Sequence, residues 1–90
     1  MTNVEKLKSQ FPNLVQDIDF EMFNQYGDLN RVITSIDVPN NRIESIYYFM
    51  AECGCCTTSD DDVEVLDDLN YLSDSEFDRL IKELNKSQDT

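Results

Sequence analysis

Asp28-Leu29-Asn30-Arg31-Val32-Ile33-Thr34-Ser35-Ile36 is the stretch that decides how this 90-residue chain is read. Its apolar members Leu29, Val32, Ile33 and Ile36 fall at i, i+3, i+4 and i+7, the stripe of an amphipathic helix, and leave Asn30, Arg31, Thr34 and Ser35 for solvent. Asp28 stands where an N-cap belongs, directly after Gly27, a residue suited to ending a preceding helix. The segment predicts a short helix, and its neighbours are read in the same period.

Upstream, Ile18, Met22, Phe23 and Tyr26 form a second apolar face that starts at a cap-competent Asp17 and stops at Gly27. Before it, Thr2-Asn3-Val4-Glu5 has the hydroxyl-x-x-Glu order of a capping box, and Val4, Leu7 and Phe11 follow at helical spacing up to Pro12. Downstream, Val38-Pro39-Asn40-Asn41 predicts a turn, and Ile43, Ile46, Tyr47 and Met50 a fourth helix closed by Gly54. Thr57 to Asp62 reads as an acidic loop. Val63, Leu66 and Leu69 read as a short fifth helix, in preference to the strand that Val63-Glu64-Val65 alone would suggest. A final helix from about Asp74 to Lys86 is announced by the Ser73/Glu76 capping box and the Leu72/Phe77 staple, with Phe77, Leu80, Ile81 and Leu84 as its buried face. The expected fold is all-α, a single compact domain of about five short helices over residues 1–90. It divides into a three-helix portion at 1–37 and an acidic helical portion at 40–90.

Ninety residues bury roughly 60 to 65% of the unfolded surface, enough for one core. Leu, Ile, Val and Phe fill 25 positions, above the level at which charged chains stay disordered. No apolar run approaches the ~20 residues of a bilayer span, and Met1-Thr2-Asn3-Val4-Glu5-Lys6 lacks the order of a signal peptide. The three cysteines Cys53, Cys55 and Cys56 are odd in number and crowded, unlike a disulfide framework. A reducing cytoplasm is the expected location.

The pattern from Leu7 to Ile36 resembles the ubiquitin-associated and CUE family of compact three-helix domains. Phe11-Pro12 ends the first helix, Asp17-Ile18 starts the second, Gly27-Asp28-Leu29 makes the break and Val32-Ile33-x-x-Ile36 forms the last face. The resemblance implies a helix-loop-helix-loop-helix fold and assigns contact with a protein partner to Phe11, Pro12 and Ile36. The family's closing leucine pair is absent, since Asp37 follows Ile36, and Gln10 stands where an apolar residue would precede Phe11.

The chain contains no histidine, which removes the commonest general base near neutral pH and the usual partner of a Ser or Cys nucleophile. No catalytic residue and no cofactor are expected. Cys53, Cys55 and Cys56 supply three thiolates where a closed zinc site needs four ligands, so thiols packed as small hydrophobes are the plainer reading. Asp60-Asp61-Asp62 fails as a calcium loop, because its sixth position is Val65 where glycine is needed and its twelfth is Tyr71 where Glu is needed.

The net charge of −12 argues against direct contact with nucleic acid or anionic lipid and points to a basic partner. Residues 1–50 carry a net −3 and residues 51–90 a net −9. Asp60, Asp61, Asp62, Glu64, Asp67, Asp68, Asp74 and Asp78 are therefore candidates for a negative face that imitates phosphates and engages the basic surface of a nucleic-acid-binding protein. The plain alternative is a solvated, solubilising surface. In size and balance the chain resembles the small acidic inhibitors made by bacterial viruses. Tyr47, Tyr48, Phe49 and Met50 cannot all face one core, so Tyr48 and Phe49 are expected to anchor a partner or to be covered by a neighbouring element. The expected activity is noncatalytic protein binding, by this acidic face or, alternatively, by an adaptor surface at Phe11, Pro12 and Ile36.

Overall fold

A computed structural model describes residues 2–50 and 57–88. It overturns the all-α expectation. The order is α1 (Asn3–Gln10), β1 (Val15–Phe23), β2 (Leu29–Asp37), β3 (Arg42–Met50) and β4 (Thr57–Val65), then a 3-10 turn (Leu66–Tyr71) and α2 (Asp74–Gln88). The strands pair in sequence order as one antiparallel meander, β1-β2-β3-β4. The expected 1–37 three-helix portion is one helix and two strands, and the 40–90 portion is two strands, the 3-10 turn and one helix. Neither a helical bundle nor a ubiquitin-associated-like layout is present.

The side chains explain the change. β2 and β3 are rich in β-branched and aromatic residues, Val32, Ile33, Thr34 and Ile36 on one and Ile43, Ile46, Tyr47, Tyr48 and Phe49 on the other, which fit a pleated surface better than a helix. The helical spacing of β2 is produced by an irregularity. Ile33 lies opposite Ser45 and Ile36 opposite Ile43, so three steps on β2 match two on β3, with Thr34 as the extra residue. Both isoleucines thereby reach the same core at a spacing of three. Val32 sits on the other side of the sheet, 7% exposed and outside the core cluster.

Gly27 ends no helix; it shapes the β1–β2 hairpin at φ +83. The Asn24 side chain accepts from the backbone N–H of Tyr26 (2.9 Å) and Asp28 (3.0 Å), and the Gly27 N–H donates to the Asn24 carbonyl (3.0 Å). The turn expected at 38–41 is present. Asn41, at φ +57, donates to the Val38 carbonyl at 3.1 Å, and Asp37 accepts from the backbone of Asn40.

Both terminal helices form as their caps predict. Thr2 accepts from Glu5 N–H at 3.2 Å, and Ser73 accepts from Glu76 N–H at 3.3 Å while donating to its carboxylate at 3.0 Å. One core lies between these helices and one face of the sheet. It joins Val4 and Leu7 of α1, Phe20, Ile33, Ile36 and Ile43 of the sheet, Leu66 and Leu69 of the 3-10 turn, and Phe77, Leu80 and Leu84 of α2. Asn3 ties the layers: its side-chain amide donates to the carbonyls of Leu69 and Leu72, both at 3.0 Å.

Candidate functional site

Strand alternation decides where the acidic residues go. In β4, Asp60 lies opposite Tyr47, Asp62 opposite Ser45 and Glu64 opposite Ile43, which places these three on the helix-facing side of the sheet. Asp61 lies opposite Ile46 and faces the other way. The Asp triplet is thus part of an edge strand and not a loop, and its charges are divided between two faces. Asp67 is exposed on the 3-10 turn, and Asp74 and Asp78 are exposed four residues apart on α2. These acids do not form one sheet-face array.

Two of them enclose a cation. Arg31, 8% exposed, donates to Ser45 Oγ from Nε (3.2 Å) and Nη2 (3.0 Å). Its Nη2 also meets Glu64 at 2.7 Å and Asp68 at 2.9 Å, and its guanidinium lies 4.9 Å from the Tyr47 ring centre. The Tyr47 hydroxyl donates to the second Glu64 oxygen at 2.6 Å. Burial, and then the Glu64 acceptor, hold the Tyr47 hydroxyl well above the usual phenol range, so it remains a donor. Burial and the neighbouring Asp68 carboxyl push Glu64 above the usual carboxylate range, against the opposing pull of the Tyr47 hydroxyl and Arg31. With its donors and acceptors mutually satisfied, this group pins β2, β3 and β4 to the 3-10 turn. Glu64 and Asp68 are structural partners here, not free surface charges.

The other side of the sheet carries no described helix. Cross-strand neighbours there form rows: Val15, Asp37, Arg42 and Val65; then Asp17, Ser35, Glu44 and Val63; then Glu21, Val32, Ile46 and Asp61; and finally Tyr48 with Ser59. Val32, Ile46 and Tyr48 lie in the middle strands, half-buried or more by their neighbours, while Val63 and Val65 are exposed at the edge. Around them stand Asp17, Glu21, Asp37, Glu44 and Asp61, against one base, Arg42, which is paired with Glu44. The result is an apolar stripe flanked by carboxylates. Tyr48 belongs to it. Phe49, 47% exposed, points to the opposite side, opposite Thr58 and beside the Tyr47/Asp60 pair, so the two expected anchors do not share a surface.

The alternative adaptor set separates as well. Ile36 is fully buried in the core and has no surface to offer. Phe11 is half-buried and Pro12 exposed, beside a hollow lined by Gln10 to Val15. Cys53, Cys55 and Cys56, with Gly54, lie outside the described residues. Among the described residues no group of three or more Cys, Asp or Glu side chains is arranged to hold a metal ion. No described helix is long and apolar enough to cross a membrane.

The sequence reading assigns Val32, Ile46 and Val63 to helical apolar faces and Arg31 to solvent, and gives Glu21 no role, so none of them is named there as a site residue. The alternation Asp62-Val63-Glu64-Val65 was the legible signal, since period-two polarity marks a half-exposed strand. Comparison with protein-family models, with curated proteins and with solved structures finds no match to this chain.

Proposed function

We propose that this chain is a noncatalytic protein-binding module of inhibitory type, whose acidic surface engages a basic surface of its partner. The observation that carries the reading is the sheet face that no described helix covers, with Ile46 and Tyr48 partly exposed in the middle beside the buried Val32, and Asp17, Glu21, Glu44 and Asp61 around them. An apolar centre inside a charged border is the anatomy of a protein interface, in which the border steers encounter and the centre supplies affinity. Four strands of nine residues span about 19 by 30 Å, on the order of 600 Å² before pleating, about three quarters of the about 800 Å² each partner contributes to a standard interface.

The net charge of −12 selects a basic counterpart, and the phosphate-binding groove of a nucleic-acid-binding enzyme has the matching sign. The test is affinity capture from native lysate at low and high salt, with the wild type beside Tyr48→Ser/Val63→Ser and Asp17→Asn/Glu21→Gln/Asp61→Asn. The expected partner is retained by the wild type at low salt, weakened by either set of changes and released as salt rises, because exposed charges are screened within about 8 Å at physiological ionic strength. Capture of the same protein by all three chains at both salts would sink the reading.

A further inference from the structure

The two edges of the sheet are not equivalent. On β1, α2 packs against the strand: Arg79 donates to the Glu21 carbonyl at 2.8 Å and its guanidinium lies 4.5 Å from the Phe20 ring centre. That contact takes up a backbone acceptor and leaves α2 beside the strand. On β4, the strand pairs with β3 and Glu64 is tied through Arg31 to the 3-10 turn, while residues 58–63 and 65 are exposed and, among the described residues, no helix side chain donates to or accepts from the strand's backbone. As the outer strand of the sheet, β4 presents along its outer side N–H and C=O groups at every second position that no other described strand pairs.

Such an edge invites pairing, and its side chains determine with what. Asp60, Asp62 and Glu64 project to one side of β4 and Asp61 to the other. A second copy of the strand laid antiparallel along it would set aspartates opposite aspartates, a destabilising arrangement. An extended segment with Lys or Arg at successive positions would instead meet an acid on each face. The acids exclude self-association and select a basic strand.

We infer that the free edge of β4 accepts a lysine- and arginine-rich extended segment of a partner protein as a fifth strand, paired through its backbone and read by Asp60, Asp61 and Asp62. This rests on the basic-partner reading above and adds a second contact along the β4 edge, adjoining the open face at Asp61. The occupant is an extended peptide and not a folded basic surface, so the backbone of the ligand matters as much as its charge.

The experiment uses the full chain and a fluorescent nine-residue peptide, Lys-Thr-Lys-Arg-Lys-Val-Lys-Thr-Lys, with a second version N-methylated at alternate amides, titrated by anisotropy at low salt. The unmodified peptide binds and the methylated one, equal in charge, binds at least about tenfold more weakly, since strand addition draws its affinity from main-chain hydrogen bonds. Asp60→Asn/Asp61→Asn/Asp62→Asn weakens the unmodified peptide. Amide exchange measured by NMR slows at alternate residues of 58–65 when the peptide is bound. Equal binding of the two peptides would overturn strand addition and leave the basic-partner reading standing, as would absence of binding by either. Tyr48→Ser, which alters the open face on β3 and leaves every β4 side chain in place, keeps the peptide affinity, so failure of that face is scored separately.

Discussion

Arg31 shows how one side chain fixes both structure and charge. It is buried, its fork reaches a serine and two carboxylates, and without it Glu64 and Asp68 would face each other with no counter-charge. Arg31→Met is expected to cost about 2 to 3 kcal/mol in urea unfolding. A fully enclosed pair costs about 3 to 5, but Glu64 and Asp68 keep side-chain exposures of 21% and 30%. Adding Glu64→Gln and Asp68→Asn to that variant recovers most of the loss, and a triple variant no more stable than the single one would refute the network. Glu64 also gives a sign for pH. Its pKa is raised above the ordinary 4.5 on folding, so its contribution is fully present below that value and is lost as pH rises through the raised one. The stability of the wild type relative to Glu64→Gln should therefore fall as pH increases from 4.5 and then level off. A difference that grows with pH would contradict the assignment. Ile36 separates core from contact in the same way: Ile36→Ala should cost about 2 to 4 kcal/mol by leaving a cavity in a fully enclosed site.

At the level of the elements, what could be read in advance was what is local. Caps act within three residues, so Thr2/Glu5 and Ser73/Glu76 identify α1 and α2 from the sequence, and the 38–41 turn is equally local. β2 was not legible because its defining feature lies in another strand. The extra residue at Thr34 exists only relative to β3, and it turns Ile33 and Ile36 into neighbours on one face at a spacing that a lone segment presents as helical. In β1, Ile18 and Met22 are four apart, a separation that strand and helix periods both satisfy. The candidate site suffered from the same error. Read on a helix, Tyr48 and Phe49 are close companions, and read as a loop Asp60 to Asp62 form one patch; on strands, each group is divided between opposite faces. Two single changes test the element boundaries. Ser73→Ala should destabilise by about 1 kcal/mol through the lost α2 cap, and Gly27→Ala by about 1 kcal/mol through its positive φ in the β1–β2 turn, both read by chemical denaturation. No effect at Gly27 would argue that the hairpin does not turn there.

Over the whole molecule, the sheet divides the protein into two environments. One side holds the core and both helices; the other holds Val32, Ile46 and Tyr48 among carboxylates. A charge of −12 on 90 residues works against compaction by self-repulsion, and much of it is carried by the two outer strands, Asp17, Asp19 and Glu21 on β1 and Asp60, Asp61, Asp62 and Glu64 on β4. Acids along both edges discourage association between copies and leave a basic protein as the complementary occupant. The most direct measurement of that claim is NMR shift mapping on the labelled chain as the captured partner is added. The largest changes are predicted at Glu21, Val32, Ile46, Tyr48 and Asp61, spreading to the β4 edge. Changes concentrated on the exposed side of α2, with the open face undisturbed, would contradict it.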